Sequence, residues 1–304
     1  MNASFASTLS ASHEAAANQH YPQGALYVVA TPIGNLADIT LRALHVLRLV
    51  DAIACEDTRH TQTLLRAYGI ERGAQQLIAL HQHNEAEAAQ AVVARLQAGA
   101  RIAYVSDAGT PAVSDPGARL VAAVRAQGLL VVPLPGASSV TTALSVAGAA
   151  SEDNGFVFAG FLPAKSTERH QAVQALAGET RAVVLLEAPH RIEALAAALA
   201  PLGSRQLTIG RELTKQFEEI ATVAAADFNA WLTAQPHRAR GEFALVLHPA
   251  PAAADVAQTE GLRVLKLLLP ELPLKSAVRL AADISGASRN ALYDAALALK
   301  QPAP

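Results

Sequence analysis

The loop from Ser106 to Gly117, SDAGTPAVSDPG, contains the residue types best suited to holding a small ligand. An apolar run at 101–105 precedes it, and a segment with helical spacing of apolar residues at 118–125 follows it. This order of strand, small-residue loop and helix places backbone N–H groups and a helix N-terminus at the carboxyl edge of a parallel sheet, where open α/β folds bind ligands. Two glycines, two prolines and two Ser-Asp pairs in the loop encode tight turns and side-chain caps. We interpret it as a ligand-binding loop, with an ordinary strand-to-helix connection as the alternative.

Four further loops place ligand-binding residue types at the same predicted edge. They lie at Thr31 to Gly34, Glu56 to Arg59, His81 to Asn84 and Pro135 to Ser139, and each follows an apolar run. Because parallel strands end at one edge, these loops should converge with the first on a single crevice. The residue types there suit a polar small ligand, uncharged or zwitterionic, better than a triphosphate.

Several common sites are excluded by the motifs that the sequence lacks. It has neither GxxxxGK[ST] nor GxGxxG, hence no P-loop and no dinucleotide fingerprint, and no GxSxG elbow supports a Ser-His-Asp triad. Cys55 is the only cysteine, which excludes an internal disulfide and a cysteine-based zinc site. His81 and His83 adjoin Asn84 rather than a set of carboxylates, so we expect no metal site.

The apolar runs predict two α/β domains. In residues 25–150, five strands alternate with helices, which is the pattern of a parallel, helix-covered sheet. In residues 151–250, five more strands follow with full helices between only some of them, which predicts a mixed sheet. The predicted strands lie at 26–30, 52–55, 77–80, 101–105 and 129–134 in the first domain and at 156–161, 182–186, 206–209, 219–223 and 243–247 in the second.

A small helical module is predicted at 255–304, after a Pro/Ala linker. Within it, residues 272–293 read helix, glycine turn, helix, which is the helix-turn-helix pattern. Lys275, Arg279 and Arg289 give the segment a modest basic character. Contact with nucleic acid and simple packing of a helical hairpin on the body are both open.

Composition limits the class of protein further. The chain has 304 residues, enough for two domains, and it is 51% hydrophobic but only 4% aromatic, as expected for Ala-rich helices covering sheets. A net charge of −2 excludes a global basic field, so any nucleic-acid surface must be a local patch. Residues 1–24 lack periodicity, a basic start and an apolar core, which predicts a disordered tail rather than a signal peptide. No apolar stretch reaches the roughly 18–20 residues of a membrane helix, and we expect a soluble, cytoplasmic protein.

Five long motifs occur in register and resemble a known family. They are the loop from Ser106 to Gly117 and the stretches Val29 to Ala43 (VATPIGNLADITLRA), Cys55 to Arg59 (CEDTR), Glu187 to Arg191 (EAPHR) and Arg211 to Glu219 (RELTKQFEE). Together they resemble the bacterial small-subunit rRNA cytidine 2′-O-methyltransferases of the tetrapyrrole-methylase superfamily. The resemblance covers about residues 25–249, and the helical module also looks like the C-terminal module of that family.

The resemblance implies a two-domain tetrapyrrole-methylase-like fold, usually homodimeric, with S-adenosylmethionine in the cleft between the domains. The loop after the first strand would face the methyl donor, and the loop at 106–117 would hold methionine and ribose. Glu187 and Gly241 would approach the adenine, while Ser138 and Ser139 match a contact usually written Thr-Ala or Ser-Ala, with a departure at the second serine. The implied cofactor-binding residues are Pro32, Gly34, Ser106, Asp107, Ala108, Thr110, Ser138, Ser139, Glu187 and Gly241. The implied substrate is a cytidine ribose in the decoding region of the small ribosomal subunit.

Methyl transfer from a sulfonium to an alcohol is an in-line displacement that needs no metal, but it needs alignment and a base for the hydroxyl proton. The residues that could be this base are Glu56, Asp57, Lys215 and Glu218. Pairing of Glu56 with Arg59 inside their own loop is the purely structural alternative. Arg59, Arg191 and Arg211 are better suited to bidentate contacts with RNA phosphates.

Two other functions stay open. A methylase of tetrapyrroles or of another small substrate could use the same fold, although the Glu-Asp-Thr-Arg and Glu-Leu-Thr-Lys loops and the helical module favour RNA. A non-catalytic RNA-binding protein would need a basic balance that the net charge of −2 does not supply.

Overall fold

The structure is a computed structural model that describes residues 6–81, 84–113, 117–149, 155–251 and 253–300. The first half contains the strands β1 (Ala25–Val29), β2 (Ala52–Cys55), β3 (Leu77–Ala79), β4 (Ile102–Val105) and β5 (Leu130–Leu134). They form one sheet in the order β3-β2-β4-β1-β5, and all its strand pairs are parallel. The three central strands are apolar and largely buried, because helices cover both faces of the sheet.

The helices of the first half divide between the two faces of this sheet. Two of them pack with Tyr27 and Ile53 on one face, and the next two pack with Leu26 and Tyr104 on the other. Local caps help to set where they begin: the Thr40 hydroxyl, for example, accepts the Ala43 N–H at 3.1 Å. In chain order these helices are α2 (Leu41–Leu49), α3 (Thr58–Ala67), α4 (Glu85–Gln97), α5 (Ala118–Ala126) and α6 (Ser139–Ala147), of which α2 and α3 cover the first face and α4 and α5 the second.

The second half contains the strands β6 (Phe156–Gly160), β7 (Ala182–Glu187), β8 (Gln206–Arg211), β9 (Glu219–Ala224) and β10 (Phe243–Leu247). They form a mixed sheet in the order β6-β7-β10-β8-β9. The β6–β7 pair is parallel, whereas the other three pairs are antiparallel. Helices α7 (Ser166–Leu176), α8 (Ile192–Leu199) and α9 (Phe228–Thr233) pack on one face.

Helix α6 joins the two halves. Val140 and Ala143 of this helix pack with Val184 and Val246 of the second sheet, on the face opposite to α7, α8 and α9. The last loop of the first sheet is therefore held directly against the second sheet. This packing places the carboxyl edge of the first sheet beside the second half.

Three helices form the C-terminal module: α10 (Ala253–Leu268), α11 (Leu274–Ser285) and α12 (Arg289–Lys300). They share a core of small and aliphatic side chains that includes Leu265 and Leu292. Gly286 ends α11 in the left-handed region, at φ 75°, where a residue without Cβ is favoured. The parallel sheet, the mixed sheet and this module confirm the predicted fold class.

A helix, α1 (Ala6–Ala16), lies within the range 1–24 for which we expected disorder. Ser12 and Ala16 are buried, and Leu9 packs against the core around α2. The spacing 9, 12, 16 marks one helical face, but serine and alanine are too weakly apolar to reveal it in the sequence. Small residues allow close approach of two helices, and the Tyr21 hydroxyl anchors the end of α1 by donating to the Ala16 carbonyl at 3.0 Å.

Deletion of residues 1–20 is therefore expected to lower the free energy of unfolding by about 1–3 kcal/mol, the value of roughly one buried aliphatic side chain. Urea denaturation of the full chain and of the deletion measures this. Ala16→Glu should be destabilising because Ala16 is buried, while Ala15→Glu, one residue away on the exposed face, serves as the matched control. Equal midpoints for all four proteins would mean that α1 contributes no stability.

Candidate active site

A cleft of about 320 Å³ lies where the carboxyl edge of the first sheet meets the second half. The first half contributes loops that follow β1, β4 and β5, and the second half contributes residues at the ends of β6, β7, β8 and β10. The lining residues of the first half are Ile33, Ala108, Gly109, Thr110, Val113, Ser138, Ser139 and Val140. Those of the second half are Phe161, Leu186, Glu187, Ala188, Pro189, Gly210, Leu213, Glu242, Phe243 and Ala244.

Backbone contacts bring three of the predicted loops together. Thr31 N–H donates to the Gly109 carbonyl at 2.9 Å, and Gly109 N–H donates back to the Thr31 carbonyl at 3.1 Å. The Thr110 hydroxyl donates to the Ala137 carbonyl at 3.0 Å, which ties in the loop after β5. Gly109 has φ 82°, and a Cβ there would lie 3.2 Å from the Ile33 side chain, so glycine is needed at this meeting point.

Half of the implied cofactor-binding residues line the cleft. They are Ala108, Thr110, Ser138, Ser139 and Glu187. The serines lie at the N-terminus of α6, and α6 begins at Ser139. Hydroxyls and backbone N–H groups at that position suit a carboxylate, because they can donate to it.

Ser106 and Asp107 have contacts inside the loop structure. Ser106 is buried, and its hydroxyl lies 3.3 Å from the carbonyls of both Ala108 and Gly109. Asp107 Oδ1 accepts the Asp57 N–H at 3.4 Å, which links the loop after β4 to the loop after β2. These contacts shape the walls of the cleft. Direct contact of either residue with the cofactor stays a prediction.

The remaining implied positions adjoin the cleft. Pro32 lies between the paired Thr31 and the lining residue Ile33. A Cβ on Gly34 would contact Lys215 Cγ and would lie 3.2 Å from the Leu213 carbonyl oxygen. Gly34 thus permits the loop after β1 to approach the loop after β8.

Gly241 precedes a carboxylate that sequence reasoning missed. It has φ 89°, and a Cβ there would lie 2.5 Å from Glu212 Cγ, so glycine is required for the close approach of this loop. The next residue, Glu242, lines the cleft. The only sign of this carboxylate in the local sequence is an acidic residue directly before an apolar strand.

Glu187 is a buried carboxylate at the end of β7, with 2% of its surface exposed. Its Oε1 accepts the Ala188 N–H at 2.9 Å and lies 3.1 Å from Arg191 Nε. Its Oε2 has no hydrogen-bond partner within the described residues, although the residue lines the cleft. A buried acceptor without a donor is costly, so this oxygen is suited to an N–H or O–H group of a ligand.

Arg191 is held by this carboxylate and by the chain around it. Its guanidinium pairs with Glu187 and donates to the Leu162 carbonyl. The side chain is therefore engaged in the wall of the cleft instead of extending freely toward a phosphate. Its expected role in RNA binding has no support from these contacts.

Lys215 connects two carboxylates at the edge of the cleft. Its Nζ lies 2.8 Å from Glu212 Oε1 and 2.9 Å from Glu242 Oε2. Burial alone would lower the pKa of Lys215, but the hydrogen bonds to Glu212 and Glu242 outweigh it and raise the pKa. Lys215 is therefore a positioned cation and is unsuited to accept a proton near neutral pH.

The loop that carries Lys215 contains two non-glycine residues with positive φ, Glu212 at 52° and Thr214 at 67°. The Thr214 N–H donates to Glu218 Oε2 at 2.6 Å, so Glu218 closes this loop on itself. Strained backbone of this kind persists where surrounding contacts determine it, and it is frequent at binding sites.

Arg211, which we expected to contact RNA phosphates, is buried with 5% exposure. Its Nε donates to the Arg240 carbonyl at 2.7 Å, and its Nη1 donates to the Phe217 carbonyl at 3.2 Å. The guanidinium is thereby used to hold loops of the second half. The expected phosphate contact is therefore not supported by the structure. The sequence could not reveal this, because its pattern contains no information about the burial of Arg211.

The Glu56–Arg59 loop follows β2. Asp57 caps α3 by accepting the Arg59 N–H at 2.8 Å, and its side chain pairs with the Arg59 guanidinium at 3.1 Å. The side-chain hydrogen bond from Arg59 is the main cause that lowers the pKa of Asp57 to about 2. Asp57 is thus a weak base, while the 90% exposed Arg59 side chain remains accessible to a large partner.

The described residues contain neither a metal-binding cluster nor a membrane-spanning helix. Among these residues, no group of three or more His, Cys, Asp or Glu side chains is placed to hold a metal ion. Within the same part of the chain, no helix is both long and apolar enough to cross a bilayer.

Known proteins resemble this chain over most of its length. A family model described as Tetrapyrrole (Corrin/Porphyrin) Methylases matches residues 25–228, so the chain belongs to the tetrapyrrole methylase family. A second model, described as RsmI C-terminal HTH domain, matches residues 252–300. The chain is 47% identical over 287 residues to Ribosomal RNA small subunit methyltransferase I of Escherichia coli O157:H7, with 94% of this chain and 98% of that protein covered. It is 48% identical over 279 residues to the protein of the same name from Neisseria meningitidis serogroup A, with 91% and 94% covered.

Solved structures with the same fold are much more distant in sequence. Cobalt precorrin-4 methyltransferase, a cobalamin biosynthetic enzyme, matches with a TM-score of 0.55 at 16% identity and covers 75% of this chain and 98% of its own. Diphthine synthase matches with a TM-score of 0.56 at 15% identity, covering 74% and 90%. Uroporphyrin-III C-methyl transferase from Thermus thermophilus, complexed with S-adenosyl homocysteine, has a TM-score of 0.50 at 16% identity, covering 73% and 96%.

Proposed function

We propose that this chain methylates the 2′-hydroxyl of a cytidine in the decoding region of small-subunit rRNA, with S-adenosylmethionine as the methyl donor. The observation that carries the proposal is the extent of the likeness to rRNA methyltransferases, which spans 94% of the chain and so includes the helical module as well as the cleft. The tetrapyrrole-methylase model ends at residue 228, and the structural relatives cover only about three quarters of the chain. A substrate larger than a tetrapyrrole explains the additional module, so the small-substrate alternative is not favoured.

The cleft fits S-adenosylmethionine, which when bound would supply an electrophilic methyl group. Ser138 and Ser139 offer donors for its carboxylate, and the loop around Gly109 offers close backbone approach. The unpartnered Glu187 Oε2 offers an acceptor for the adenine amine or a ribose hydroxyl. Donors and an acceptor at separate places in one cleft suit a zwitterionic nucleoside ligand.

The protein residues would mainly align the reacting groups. Holding two reactants in line is a large part of the acceleration in a displacement that needs no metal. Lys215, as a cation held by Glu212 and Glu242, would fix the edge of the cleft and contribute to its electrostatics. Of the proposed proton acceptors, Lys215 and Asp57 are disfavoured by their pKa directions, while Glu56 and Glu218 stay proposals.

Binding of a ribosomal substrate would use exposed cations near the cleft and on the module. Lys275 and Arg279 are exposed on the module. Arg59 and Arg289 are also exposed, but they are partly neutralised by Asp57 at 3.1 Å and by Asp283 at 2.6 Å, respectively. We also propose that the protein acts as a homodimer in the cytoplasm. Sedimentation of the purified protein tests the homodimer, because a monomer at micromolar concentration would contradict it.

The function is tested with labelled S-adenosylmethionine and three acceptors: small ribosomal subunits, naked rRNA and a tetrapyrrole. We expect label in rRNA, at a cytidine whose 3′ linkage resists alkaline hydrolysis because its 2′-oxygen is methylated. Binding of S-adenosylmethionine, measured by calorimetry after chelator treatment, should not require added metal. Label in the tetrapyrrole alone would favour the alternative, and restoration of cofactor binding by zinc or magnesium would contradict the metal-free site.

A further inference from the structure

Two large apolar side chains in the described lining of the cleft are substantially exposed: Val113, at 45%, and Phe161, at 51%. Val113 belongs to the loop after β4, and Phe161 directly follows β6, so one comes from each half of the fold. The chain is only 4% aromatic, and most aromatic residues gain their stability from burial. Phe161 therefore leaves much of its apolar surface uncovered in the cleft, where ligands bind.

The backbone that carries Phe161 is held by two arginines. Arg169 is buried, and its Nη1 donates to the Ala164 carbonyl at 3.0 Å and to the Pro163 carbonyl at 3.4 Å. Arg191 donates to the Leu162 carbonyl. Three consecutive carbonyls after Phe161 are thus fixed by guanidinium groups. A side chain on such a backbone needs little ordering when a ligand binds.

The backbone just before Phe161 also has a defined conformation. The pairing of β6 with β7 shifts register between Phe158 and Gly160. Gly160 then has φ 62°, which turns the chain out of the strand immediately before Phe161. The same Arg191 that holds the following carbonyl also pairs with Glu187 in the cleft wall. The position of Phe161 is therefore tied to the geometry of the cleft.

We propose that Phe161 is the platform on which the base of the target nucleotide stacks. This inference rests on the proposed function, because a ribose can enter the cleft only if its nucleotide is turned out of the RNA. Unstacked bases are commonly received on aromatic side chains, which offer a face to any base. Half of Phe161 remains in contact with solvent, where an incoming RNA can cover it, whereas the enclosed polar groups of the cleft are suited to the cofactor.

The test compares Phe161→Ala, Phe161→Leu and Phe161→Tyr with the wild type. For Phe161→Ala, kcat/KM for small subunits should fall roughly 10- to 100-fold, the range expected for the loss of one base–aromatic stack. The Kd for S-adenosylmethionine should change less than about twofold. Phe161→Tyr should retain most of the activity because it keeps an aromatic face, and Phe161→Leu should lose most of it although it remains apolar. Phe156→Ala is the matched control, because Phe156 is 48% exposed at the start of β6, the strand that Phe161 follows, and lies outside the cleft lining.

Each outcome decides a different point. A parallel loss of cofactor affinity in Phe161→Ala would assign the side chain to the adenine and overturn the inference. Full activity of Phe161→Leu would also overturn it, and so would an activity loss of equal size in Phe156→Ala. Thermal melts of all variants show whether folding contributes. A wild-type protein that labels no rRNA would refute the proposed function and the stacking role with it, whereas an active wild type with an equally active Phe161→Ala refutes the stacking role alone.

Discussion

Glu187→Gln is expected to weaken binding of S-adenosylmethionine roughly 10- to 100-fold. The buried Oε2 has no donor among the described residues, and a hydrogen bond to a charged group contributes about 1.5–3 kcal/mol. Glutamine keeps the shape of the side chain but loses its charge and offers an amide in place of one carboxylate oxygen. Calorimetric titration with the cofactor measures the change in Kd directly.

The same substitution also removes the charge that faces Arg191. Taking away the buried carboxylate leaves Arg191, whose side chain is 24% exposed, without its opposite charge, so the variant should unfold at a lower temperature as well. Glu193→Gln is the matched control, since Glu193 is exposed on α8 and outside the cleft lining. An unchanged Kd in a variant that is measurably less stable would make Glu187 a structural residue only.

Removal of the helical module after residue 251 should spare cofactor binding and reduce affinity for small subunits, roughly 10- to 100-fold at 0.15 M salt. The cleft can hold one nucleotide but contributes little area against a ribosomal particle. With a net charge of −2, phosphate contacts must come from concentrated patches. Lys275 and Arg279 are exposed on α11 and have no ion-pair partner within the described residues.

The salt dependence of binding distinguishes phosphate contacts from packing. In a full-length chain carrying Lys275→Gln and Arg279→Gln, the slope of log affinity against log salt should be less steep by about one to two units. Arg263→Gln is the control, because Arg263 is paired with Glu260 at 2.8 Å on its own helix. If the truncated, doubly substituted and wild-type proteins all bind with equal affinity and slope, the module is a packing element and the RNA surface lies on the two sheets.

Local sequence patterns determined most of the elements and the edge where the site would lie. The apolar runs matched the strands because a buried strand is encoded by its own few residues, as at Ala52–Cys55. The glycine turn predicted within 272–293 matched the end of α11 at Gly286, because a left-handed turn depends on a single residue type. The meeting of the loops after β1, β4 and β5 at the cleft followed from parallel strands, which all end at one edge of a sheet, whereas the loops after β2 and β3 contribute no residue to the described lining.

What the sequence could not determine was the partner of each charged or weakly apolar side chain. Arg211 donates to a carbonyl at Arg240, and Lys215 bridges to Glu242, across 29 and 27 positions of the chain. Those contacts arise only when β10 pairs antiparallel with β8, which no local pattern encodes. Helix α1 was missed for a related reason: Ser12 and Ala16 are buried by a neighbouring helix and not by their own hydrophobicity. Residue type and spacing determined where chemistry could occur, and tertiary packing decided which charges face the cleft and which hold its walls, because burial and ion pairing depend on residues distant in the chain.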